Sequence, residues 1–101
     1  MATRRERLHW SHNADIDLLW IWRYGANKWS PAKADDHLRE LKLRCDQLLR
    51  SPKLGKARDE LSPGIRTILI DPHVVFYRVT GLAVEIVRVL HQHEDVEVVF
   101  H

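Results

Sequence analysis

The sequence predicts an α+β fold: an N-terminal strand, an antiparallel two-helix hairpin, then a three-stranded antiparallel meander that joins the first strand in one sheet. Three observations carry this reading. Apolar residues alternate with polar ones around Leu8 and Trp10. They recur at spacings of four and three from Ala34 to Leu48, and three β-branched-rich runs separated by short turns fill the second half. With 101 residues, 45% of them apolar, the chain supports one modest core, and residues 1–101 are read as a single domain.

Leu8 and Trp10 between Arg7, His9 and Ser11 give the period-two pattern of a short half-buried strand. Ser11 or Asn13 can cap the helix that follows, Asp15 and Asp17 suit the positive end of its dipole, and Gly25 can terminate it. On a helical wheel Ala14, Leu18, Ile21 and Gly25 share one arc, while Ile16, Leu19, Trp20 and Arg23 share the opposite one. This helix is therefore apolar on both sides. The second helix opens with Ser30 as N-cap and Pro31 in its first turn, with Trp29 placed for a hydrophobic staple. Its stripe of Ala34, Leu38, Leu41, Cys45 and Leu48 continues to Arg50, where Ser51 and Pro52 stop it. Asp35/Arg39, Glu40/Arg44 and Asp46/Arg50 stand at the four-residue spacing of helix-surface ion pairs. The short connection around Asn27 makes the helices an antiparallel pair.

A turn-rich segment, Ser51 to Gly64, leads into strands Ile65 to Ile70, Val74 to Val79 and Val84 to Leu90, joined by turns at Asp71-Pro72 and Thr80-Gly81. Such short links make neighbours antiparallel. Helices on one face of the sheet would leave the other face as a binding surface. The tail Val96 to His101 alternates as a fifth strand or an intermolecular edge contact would.

Composition narrows the function classes. A formal charge of +2 falls short of the basic balance of a protein that binds nucleic acid over its whole surface. The basic run Lys42, Arg44, Arg50, Lys53, Lys56 and Arg58 reads as a solvated helix end and loop. No apolar targeting or membrane-spanning segment is visible, so the expected location is cytoplasmic. Cys45 lies on the apolar stripe of the second helix and is read as packing. Seven histidines invite a metal argument through His91, His93 and Asp95, but no second ligand pair stands at useful spacing, so neither metal nor cofactor is expected.

Several segments fit one family pattern. Ser11, Ala14, Asp17, Leu18, Ile21 and Tyr24 give S-x-x-A-x-x-D-L-x-x-I-x-x-Y, and Pro52, Leu54, Gly55 and Lys56 give P-x-L-G-[RK]. Pro63 to Arg66, Val75 to Val79, and Glu85 to His91 with Asp95 complete the series as P-G-[LI]-R, [IV]-F-Y-R-V and E-I-[VL]-R-V-L-H-x-x-x-D. In this order and spacing, over roughly residues 8 to 95, the chain resembles the ParE branch of the ParE/RelE toxins of bacterial type II toxin-antitoxin systems. Trp20 and Trp22 and the long tail depart from the pattern.

The resemblance implies a toxin that poisons DNA gyrase, blocks replication and stabilises plasmids. Its partner would be a ParD-like antitoxin in a heterotetramer or larger complex, and the toxin alone would not bind nucleic acid sequence-specifically. The alternatives are a RelE-type ribosome-dependent endoribonuclease and a non-toxic interaction module of the same fold. RNA cleavage needs a base, a cation on the phosphorane and an acid. Here the trio would be Arg66, Arg88 and His91. The acidic Glu94, Asp95 and Glu97 beside His91 would repel a phosphate backbone, so an enzyme is not the favoured reading. Candidates for target contact are Arg66, Tyr77, Arg78, Arg88 and His91. The blander reading pairs Arg66 and Arg88 with Glu85, Asp95 or a helix end. Candidates for antitoxin contact are Ile16, Leu19, Trp20 and Trp22, because that arc is too apolar to face water.

Overall fold

A computed structural model describes residues 7–81, 83–94 and 96. Strand β1 (Arg7–Trp10) leads into helix α1 (His12–Lys28), then helix α2 (Pro31–Asp46) and a 3₁₀ turn (Gln47–Leu49). Strands β2 (Lys56–Ala57), β3 (Arg66–Ile70), β4 (His73–Thr80) and β5 (Ala83–His91) follow. They form one five-stranded sheet in the order β1-β5-β4-β3-β2. The expected meander is β3-β4-β5, and β1 joins it as a parallel neighbour of β5, with Leu8 opposite Val84 and Trp10 opposite Ile86. The two-residue β2, which pairs Lys56 with Thr67, lies inside the segment read from sequence as turns.

Both helix starts are capped as their sequences require. The Ala14 N–H donates to Ser11 Oγ (3.0 Å) and the Lys33 N–H to Ser30 Oγ (3.1 Å). Helix α1 does not stop at Gly25 but runs to Lys28. A Cβ at Gly25 would sit 3.4 Å from the Ala34 Cβ, so glycine serves the close approach of two helices rather than a cap. The Trp22 indole N–H donates to Asp35 Oδ1 (2.7 Å), which takes Asp35 away from its expected partner Arg39. Arg39 pairs with Asp36 instead. These contacts run backwards along α2 as α1 advances, which makes the hairpin antiparallel.

The core lies between hairpin and sheet. Leu18, Leu41, Cys45 and Leu48 pack from the helical side onto Val75, Tyr77, Val84, Ile86 and Val89. Burial pushes the Cys45 thiol up to about 12, which leaves it an inert packing group. The other sheet face is not the open surface expected from sequence. Ile65 and Leu61, from the segment before β3, cover Phe76 and Leu90 there, with Val74, Val87 and Val96 around them. Beyond Val96 the expected tail strand lies outside the described residues.

Candidate functional site

The residues that carry the family pattern are occupied by one another. Past Trp10, β1 no longer covers the outer edge of β5, and the start of α1 takes over that edge. The Ser11 N–H donates to the Ile86 carbonyl (3.0 Å) and Ser11 Oγ to the Val87 carbonyl (2.8 Å). Further along the helix, Asp17 accepts the Val89 N–H (2.9 Å) and both arms of the Arg88 guanidinium (2.7 and 2.8 Å). The register between β4 and β5 shifts at this point, with Phe76 opposite Arg88 but Tyr77 opposite Ile86. Such an irregularity re-aims side chains. Arg88 was expected to offer a free guanidinium to a target; it is instead the bidentate partner of Asp17 and ties the hairpin to the sheet.

A second lock joins the 52–55 loop to the sheet. The Tyr77 hydroxyl donates to the Pro52 carbonyl (2.7 Å) and accepts the Gly55 N–H (2.8 Å), and Arg66 donates to the Gly55 carbonyl (2.7 Å). Tyr77 is fully buried and cannot touch a target. Burial also holds its hydroxyl above the usual phenol range. The Arg66 guanidinium, expected to be presented to a partner, is likewise committed, though it stays part-exposed. Arg78 Nη2 donates to Ser62 Oγ (3.3 Å) on the covered sheet face, so it too is turned to the fold.

The ribonuclease trio does not converge. Arg66 stands opposite Tyr77 and His91 opposite His73, four positions along β4, or about 13 Å at the usual rise of a strand. Arg88 between them is neutralised by Asp17. Of the target candidates only His91 lines a cleft, one that sequence reading did not find.

That cleft, about 980 Å³ in volume, opens between the C-terminal half of α1, the start of α2 and the β3–β4 and β5 ends of the sheet. Trp20, Ile21, Tyr24 and Trp29 line one end, and His37, His73 and His91 the other. Tyr24 and Trp29 meet edge to face at 6.5 Å, with the Lys28 ammonium 5.4 and 5.3 Å from their ring centres. Of the four antitoxin candidates only Trp20 lines this cleft. Ile16 and Leu19 are exposed on α1 outside it, and Trp22 is half-buried against α2. Tyr24 and Trp29 were read as a motif position and a staple, and neither reading signalled a surface.

The histidines of the cleft, with His93 beside them, stand in series. His37 Nε2 lies 3.3 Å from His73 Nδ1, the His73 and His91 rings meet at 5.9 Å, and His91 and His93 at 5.1 Å. Burial first, then the neighbouring His37 and His91, lowers the His73 pKa from 6.5 to about 4, against the pull of Asp71. Below pH 6.5 the unfolded chain takes up a proton that folded His73 refuses, so stability falls between pH 6.5 and about 4 and levels off below. The ring is only half-buried, and with solvent screening the expected loss is about 1–2 kcal/mol. Urea midpoints at about pH 7 and pH 4.5 check this: His73→Asn should flatten the decline by that amount.

The helical hairpin is thus locked onto a mixed sheet by its own signature residues, with an aromatic cleft at its open end. Residues 8–96 match the family model described as the ParE toxin of type II toxin-antitoxin system, parDE. Toxin ParE1 of Mycobacterium tuberculosis is 41% identical over 85 residues, 83% of this chain and 87% of that protein. Toxin ParE1 of Caulobacter vibrioides is 42% identical over 82 residues, 81% and 84% of the two chains. A solved chain of the chromosomal ParDE TA system from P. aeruginosa superposes with a TM-score of 0.76 at 25% identity, over 86% of this chain and 96% of that one. The chain belongs to the ParE toxin family.

Proposed function

We propose that this chain arrests growth by poisoning DNA gyrase in the cytoplasm and is silenced by a ParD-like antitoxin, in a heterotetramer or larger complex. The observation that carries this is the match to the ParE family across every element from β1 to β5. The internal commitment of Arg66 and Arg88, which removes two members of the ribonuclease trio, supports it. Among the described residues no helix is long and apolar enough to cross a membrane. Induced expression in bacteria should give filamentation and gyrase-dependent DNA breaks while bulk translation continues at first. Immediate loss of ribosome-bound messages with intact chromosomes would overturn the assignment.

The antitoxin's place is the aromatic cleft. The ParDE-type neighbour belongs to a toxin-antitoxin pair, and Trp20, 60% exposed, offers the large rigid ring that dominates interface energetics. An amphipathic helix laying its apolar side against the end of α1, the start of α2 and the neighbouring sheet ends fits the cleft. Trp20→Ala should cost about 2 kcal/mol, roughly thirtyfold, in antitoxin affinity. The free toxin should stay folded, because the side chain is largely outside the core. Calorimetric titration checks both; full affinity in a folded variant would take Trp20 out of the interface.

A further inference from the structure

The cleft's histidine end is built from three elements: His37 on α2, His73 on β4 and His91 at the end of β5. We propose that occupancy of this cleft is proton-gated: the imidazole cluster admits the apolar side of the antitoxin while neutral and expels it once it takes up a proton. This rests on the reading that the antitoxin docks there.

The hydrogen bonds require neutral rings. Between His37 Nε2 and His73 Nδ1, one nitrogen must accept, so at least one ring is uncharged; two imidazolium rings would point two donors at each other. His91 Nδ1 accepts the His93 N–H at 3.2 Å, which a protonated Nδ1 cannot do. Acidification therefore charges the cleft wall and breaks the contacts that order it.

The other charged groups around the cleft come from each element that forms it. Asp17 on α1 is occupied by Arg88, and Asp36 on α2 is paired with Arg39. Glu94 is engaged by the His91 N–H (3.0 Å) and Asp71 by the Gln92 side chain (3.3 Å). Lys28 and Lys33 add positive charge to the same wall. The acids that could hold a protonated ring are thus partly used, while the two lysines oppose it. A partner that covers the cleft strips water from the rings, and a charged imidazole loses far more by this than a neutral one. Burial and its neighbours keep His73 neutral down to about pH 4, so the proton that closes the gate near neutrality is carried elsewhere in the cluster.

The test is calorimetry of the full toxin with the purified antitoxin encoded by its paired reading frame, at about pH 6.5 in two buffers of different ionisation enthalpy. Binding should release protons, and affinity should fall at least about threefold from pH 7.5 to 6. A His37→Asn/His73→Asn double variant should release fewer protons and lose less affinity over that range. Zero release or proton uptake by the wild type overturns the gate, and so does an unchanged release in the double variant. Trp20→Ala at pH 7.5 separates the two readings. Weakened binding with no proton release sinks the gate alone, whereas unweakened binding removes the antitoxin from the cleft and the gate with it.

Discussion

Replacing Asp17 with alanine should destabilise the chain by about 3 kcal/mol, because three donors lose one acceptor at once. The Arg88 Nε and Nη2 and the Val89 N–H all end on this carboxylate, which is nearly buried. Without it a part-buried guanidinium stands against the hairpin with no counter-charge, and the edge of β5 loses the cap that continues it past β1. In a domain of this size the melting temperature should drop by roughly 12–24 °C. Asp17→Asn keeps an acceptor for the Val89 N–H and should cost less. A double-mutant cycle with Arg88→Ala should give a coupling of about 1 kcal/mol or more. A melting temperature unchanged in Asp17→Ala would return both residues to the surface and make Arg88 a candidate for target contact again.

Gly55→Ala should cost a similar amount by a different route. A Cβ there would lie 2.6 Å from Tyr77 Oη, 2.7 Å from its Cε1 and 2.8 Å from the Thr67 carbonyl oxygen. Neither neighbour can yield easily, since one is a fully buried ring and the other is backbone in β3. The loop must move out, and Tyr77 then loses both the Gly55 donor and the Pro52 acceptor. Overpacking and two broken buried hydrogen bonds together amount to about 3 kcal/mol. Tyr77→Phe, which removes the hydroxyl but leaves the space, should cost about 1–3 kcal/mol. Guanidinium unfolding of the three proteins checks the order; Gly55→Ala as stable as the wild type would show that the loop is not held by Tyr77.

These two locks explain how far the sequence could be read. The caps at Ser11 and Ser30, the stripe from Ala34 to Leu48 and the three C-terminal strands were legible because each is a local pattern whose period matches its element. Gly25 was misread because a glycine that ends a helix and one that lets another helix approach look alike in one dimension. Strand β2 is too short for any period to show. The arginines of the R-V-L-H and P-G-I-R blocks were read as target contacts because nothing local gives their partners. Asp17 lies 71 residues from Arg88, and the Gly55 carbonyl 11 from Arg66. The cleft was invisible for the same reason. Along the chain only the spacing of His91 to its neighbour His93 can be seen, whereas His37 and His73 meet across 36 residues of tertiary fold. Trp20 could be singled out because one apolar arc too many on a helix is itself a local signal.

Purified toxin incubated with gyrase, supercoiled plasmid and ATP tests the gyrase reading most directly. Linear plasmid trapped by denaturant, rising with toxin and suppressed when the antitoxin is added first, is the expected result. Plasmid that stays supercoiled while the same preparation cuts ribosome-bound messenger RNA would contradict it.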